Sequence, residues 1–115
     1  MYFENMSQVE VEYDQFLSSI AQKVINTDVN LLVKVMYLER QLPDVSPKVD
    51  LHMEFKPNVN PMMKQDQYRA KFGFPTQTSE NGLTVVGQMN IDLIERISKD
   101  PDIEHMSGRA TPASY

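Results

Sequence analysis

The sequence predicts an α+β domain: two N-terminal helices packed on a three- to four-stranded, mostly antiparallel sheet, with a short helix before the last strand. Three observations predict it. Apolar residues recur at helical spacing from Tyr13 to Leu42, the period changes to two beyond Pro43 and Pro47, and a helical stripe returns between Asn90 and Asp100-Pro101. At 115 residues the chain has the size of one domain, assigned to residues 1–115 with 1–12 and 107–115 as flexible ends.

The first helix follows from Tyr13, Phe16, Leu17, Ile20 and Val24, which fall on one face while Gln15, Ser18 and Gln22 fall on the other. Asn26-Thr27-Asp28 interrupts it, and Thr27 or Asp28 can cap a second helix from Val29 to about Gln41. Leu31 to Leu38 is apolar at every position but Lys34, so a buried strand is an alternative there; the length of the segment favours helix.

Val49, Leu51, Met53 and Phe55 alternate with Asp50, His52, Glu54 and Lys56, the signature of a half-buried strand that Pro57 closes. Asn58 to Gln65 reads as a connection. A second strand is predicted over Tyr68 to Phe74, where Tyr68, Ala70, Phe72 and Phe74 alternate with Arg69, Lys71 and Gly73. Asn81-Gly82 supplies a turn, Leu83 to Met89 a third strand, and the three strands together an antiparallel meander. Asn90 caps the short helix from Ile91 to Lys99. Ile103 to Met106 adds a fourth short strand, and Ser107 to Tyr115 reads as an exposed tail.

Composition narrows the chemistry. Without cysteine there is no disulfide, no thiolate metal site and no cysteine nucleophile. A hydrophobic fraction of 41% with 23% charged residues is globular, and a net charge of −5 opposes a phosphate backbone unless a basic patch is concentrated locally. No apolar run approaches a membrane span, and Met1 to Asn5 lacks the pattern of a secretory leader, so a cytoplasmic location is expected.

Catalytic motifs are wanting: no phosphate-cradling glycine loop, nucleophile elbow or paired-histidine zinc helix occurs. Asp50, His52 and Glu54 share one strand face and are read as a solvated face, not as metal ligands, and His105 points away from its neighbour Glu104. No catalytic residue, metal ligand or cofactor is assigned, and the protein is expected not to be an enzyme. Lys64, Arg69 and Lys71 interleave with Tyr68, Phe72 and Phe74 as in sheets that stack RNA bases, yet alternation separates the two sets onto opposite faces. Met62 and Met63 cannot both be buried on one regular element, which makes them candidates for a partner-binding surface.

The last quarter of the chain carries a resemblance. Met89-Asn90, the helix to Lys99, Asp100-Pro101, Ile103 and the end at Tyr115 resemble the closing segment of subtilisin propeptides and their free-standing inhibitor relatives. The resemblance implies a helix leading through Lys-Asp-Pro into a final strand. It also implies a tail that enters the protease cleft as a product-like strand, with the last side chain, Tyr115, in the specificity pocket. Arg109 and Pro112 would belong to that tail. The family also has a full helix between its first strand and its hairpin, where this chain reads as the connection 58–65, and the two N-terminal helices lie outside the resemblance.

The leading expectation is a small non-catalytic adaptor or regulatory protein acting through protein–protein contacts, with another protein or a second copy of the chain as partner. Met62, Met63, Arg109, Pro112 and Tyr115 are its candidate contact residues. The alternative is a subtilisin-type protease inhibitor using the tail, and a third, weaker one is an RNA-binding sheet.

Overall fold

The computed structural model describes residues 11–12, 14–20, 22, 24 and 26–113. Expectations for Tyr13, for the leader region and for Tyr115 lie outside the described residues. Helical residues 11–12, 14–20 and 22 form α1, from which Ile20 is buried and Phe16 packs partly on the core; Val24, just beyond, is buried too. At Asn26 the backbone turns left-handed, with φ 63°, and Asp28 caps α2 (Val29–Gln41) by accepting from the Asn30 N–H. Leu31, Leu32, Val35 and Leu38 give α2 its buried face, which settles this segment as helix.

After β1 (Lys48–Phe55) the chain enters α3 (Pro61–Phe72). This corrects two expectations, the connection through Gln65 and the strand from Tyr68 to Phe74. Asn60 caps α3 by accepting from the Met62 N–H, Pro61 occupies the first turn, where its missing N–H costs nothing, and Gly73 ends the helix at φ 71°. Lys64 and Tyr68, one helical turn apart, are its buried residues. The alternating apolar pattern from Tyr68 to Phe74 spans only the last turn of α3 and its exit.

β2 (Thr76–Thr78) and β3 (Gly82–Gln88) form a hairpin, α4 (Ile91–Ser98) follows, and β4 (Ile103–Thr111) closes the chain. Neighbouring strands are antiparallel in the order β2-β3-β1-β4. The expected meander is therefore incorrect: β3 lies between β1 and β2, and β1 lies between β3 and β4. The order β-α-β-β-α-β with both central strands flanked in this way is the split βαβ arrangement. β4 also runs five residues past the expected end at Met106, so Ser107 to Thr111 is strand and not tail.

Register divides the sheet into two faces. Val49, Leu51 and Met53 lie opposite Gly87, Val85 and Leu83 on one side and Ala110, Gly108 and Met106 on the other. All of these point to the helices, and Val49, Leu51, Met53, Leu83, Val85, Met106 and Ala110 join Leu31, Leu32, Val35, Ile94 and Ile97 in one core. α2 is anchored at the β4 edge, where Asp28 N–H donates to the Met106 carbonyl at 2.9 Å and Met106 N–H donates to the Asn26 carbonyl at 2.8 Å. Glu39 of α2 also accepts from the Ile91 N–H at 2.7 Å, joining Asn90 in capping α4. No helix of the described residues is long and apolar enough to cross a membrane.

Candidate functional site: the open sheet face and the β4 exit

The second sheet face carries the alternate residues of each strand. Asp50 lies between Val86 and Arg109, His52 between Thr84 and Ser107, and Glu54 between Gly82 and His105. The His52 Nδ1 and Thr84 Oγ1 atoms are 3.1 Å apart, and Asp50 stands opposite Arg109 across the β1–β4 ladder. Asp50, His52, Thr84, Val86 and Ser107 are half-buried, whereas Glu54, His105 and Arg109 are exposed. Among the described residues no group of three His, Cys, Asp or Glu side chains is placed to share a metal ion. The face is a mixed-charge polar surface.

The aromatics of the RNA reading are elsewhere. Tyr68, Phe72 and Phe74 stack in succession, with ring centroids 5.7 and 6.1 Å apart, and the Phe74 ring lies under Gly87 on the helix side of the sheet. Arg69 donates to the Thr76 hydroxyl at 2.7 Å. The premise of a base-stacking strand is corrected, because α3, and not a strand, carries Tyr68 and Phe72.

Behind the sheet lies a polar group that the sequence did not reveal. Lys64 Nζ is 2.6 Å from Asp100 Oδ2 and 3.1 Å from Asp102 Oδ2, and Tyr68 donates to Asp100 Oδ2 at 2.7 Å. The Lys64 ammonium also lies 5.9 Å from the Phe55 ring centroid and 5.6 Å from that of Tyr68. Burial opposes the Lys64 charge, but hydrogen bonds and charge attraction from Asp100 and Asp102 outweigh it and hold its pKa above the ordinary lysine value. Burial would raise Asp100, yet hydrogen bonds from Lys64, the Asp102 N–H and Tyr68 hold it below the usual carboxylate range. Burial, then the Asp100 carboxylate, pushes the Tyr68 phenol up. The cluster clamps α3 to the Asp100-Pro101-Asp102 junction and so fixes where β4 begins. Asn60, Pro61 and Gly73 were the sequence signals that would have placed Lys64 and Tyr68 on a helix facing that junction.

The five predicted contact residues do not converge. Met62 and Met63 are exposed, at 67% and 61%, on the first turn of α3, which follows the Phe55 end of β1. Pro112 follows Thr111, which pairs with Lys48 at the other end of β1. Arg109 is exposed on the open face near that second end, and Tyr115 lies outside the described residues. Pro112 and Ala113 meet the last turn of α2 and the loop beyond it in a groove of about 440 Å³. Compared with known protein families, curated proteins and solved structures, the chain matches none of them.

Proposed function

We propose that the protein is a non-catalytic binding protein that inhibits a subtilisin-type serine protease, with the segment after β4 lying in the protease cleft as a product-like strand. One observation carries this reading: the order of elements from β1 onward. A strand, a full helix, a hairpin, a second helix, Lys99-Asp100-Pro101 and a final strand follow one another, which is the order the resemblance implies. The helix that the sequence pattern appeared to lack is α3. The open polar face beside Arg109 supplies a second surface for the same partner, and it also supports the broader reading of an adaptor that binds through its sheet. The cysteine-free composition supports a reducing compartment such as the cytoplasm.

The test compares the full chain with a chain lacking residues 112–115 against subtilisin. The full chain is expected to inhibit at micromolar concentration, and the shortened one to lose inhibition while nearly keeping its melting temperature, because Thr111 is the last residue that pairs with β1. Equal inhibition by both chains would place the contact on the sheet face instead.

A further inference from the structure

We propose that the groove between the second half of α3 and the end of α4 binds a small phosphate monoester. The proposal does not depend on the inhibitor reading. The groove has a volume of about 350 Å³ and is rimmed by Lys71 of α3 and by Arg96 and Lys99 at the end of α4. All three residues are exposed. Three of the chain's 11 basic residues thus meet at one groove in a protein of net charge −5. The last turn of a helix attracts cations, which accounts for Lys71 and Arg96 singly. It does not account for their lining the same groove together with Lys99, where like charges repel unless an anion lies among them.

Charge identifies the ligand. Asp100 is the one acidic residue that lines the groove, and Lys64 at 2.6 Å and the Tyr68 hydroxyl at 2.7 Å already hold its Oδ2. Among the described residues no carboxylate pairs with Lys71 or Arg96. Lys71 lies instead 5.5 Å from the Phe72 ring centroid, and Lys99 stands 3.8 Å from Glu95, a long pair with the lysine side chain 72% exposed. A carboxylate ligand would offset one of the three charges. A phosphate monoester carries about two negative charges at neutral pH and presents three acceptor oxygens. Phe72, Ile97 and Pro101 form the apolar part of the wall, against which the ester's carbon chain packs. Tyr68 and Phe74 both stack on Phe72, with ring centroids 5.7 and 6.1 Å away, so a planar base finds little free ring face. The volume suits one phosphate with a short aliphatic body, which makes the ligand a small molecule.

The test titrates the isotopically labelled full chain with glycerol 3-phosphate, and in parallel with glycerol, while amide NMR shifts are followed. Shifts centred on residues 67–72 and 96–101 are expected with glycerol 3-phosphate alone, saturating at a dissociation constant of about 1 mM or below. Arg96→Ala should weaken binding about tenfold with its melting temperature unchanged. Lys34→Ala, exposed on α2, should leave binding intact. Should Arg96→Ala lower the melting temperature, Lys99→Ala decides in its place. Absence of saturable shifts, shifts produced equally by glycerol, or equal weakening by Lys34→Ala overturns the site. A peptide carrying one phosphoserine is the third arm. Its binding about tenfold more tightly than glycerol 3-phosphate overturns the assignment of a small molecule and moves the phosphate to a partner protein.

Discussion

Lys64 of α3 places its ammonium 2.6 Å from the Asp100 carboxylate, across 36 residues of sequence, at the point where α4 hands the chain to β4. The Lys64 side chain is only 8% exposed, and Asp100 17%. Removing one member of such a pair leaves the other charged and poorly hydrated. Lys64→Ala is therefore expected to destabilise the fold by about 3 kcal/mol. Lys34→Ala, on the exposed side of α2, should change stability by less than about 0.5 kcal/mol. Urea titrations of the two variants beside the parent check the contrast.

The same cluster sets the pH range of stability. Asp100 has a folded pKa below its unfolded value, so its contribution is present above about pH 4 and lost as pH falls through the folded value. Lys64 and Tyr68 are raised, so their contributions are complete below their unfolded values, both near 10, and lost as pH rises through the folded ones. A plateau of stability from about pH 5 to pH 9 is expected, with a fall on either side. In Tyr68→Phe the alkaline fall should be shallower, because the unfolded chain then has no phenol at this position to ionise at about pH 10 while the folded one stays protonated. Melting curves from pH 3 to pH 11 report both limbs.

Gly108 is the one position on β4 that admits no side chain. Its φ of 155° is rare for other residues, and a Cβ there would strike the Asp50 carbonyl oxygen of β1. Gly108→Ala should cost about 2 kcal/mol or more. Deleting residues 109–115 should also lower the melting temperature, since Arg109, Ala110 and Thr111 pair with Asp50, Val49 and Lys48 and Ala110 is buried. At least about 10 °C is expected for a domain of this size. Thermal melts of the two deletions, from 109 and from 112, locate the end of the structural part of the chain.

Much of this architecture was legible in the residues, and the failures have physical causes. The alternation of Val49, Leu51, Met53 and Phe55 identified β1, and Asn90 with Asp100-Pro101 bracketed α4, because both patterns are long enough to carry a period. Around Tyr68 the alternation was too short to carry one: residues 68, 70, 72 and 74 alternate, but 64 and 68 make the helical face. Only the punctuation of Asn60-Pro61 and Gly73 distinguishes the two. β4 past Met106 escaped notice because Gly108 leaves a gap in its inward-facing row and Ala110 is small, so the row carries no apolar stripe to read. The groove at Tyr37 and Pro112 joins segments 75 residues apart, a proximity that pairing of β1 with β4 creates and no local pattern announces.

The most direct measurement is the residual activity of a fixed amount of subtilisin titrated with the intact protein, with the inhibitor recovered afterwards for mass analysis. The account predicts inhibition that saturates at one inhibitor per protease in the micromolar range or below, with the chain recovered uncut up to Thr111. Full protease activity at every concentration, or a chain cleaved within β1 to β4 as an ordinary substrate, would contradict it.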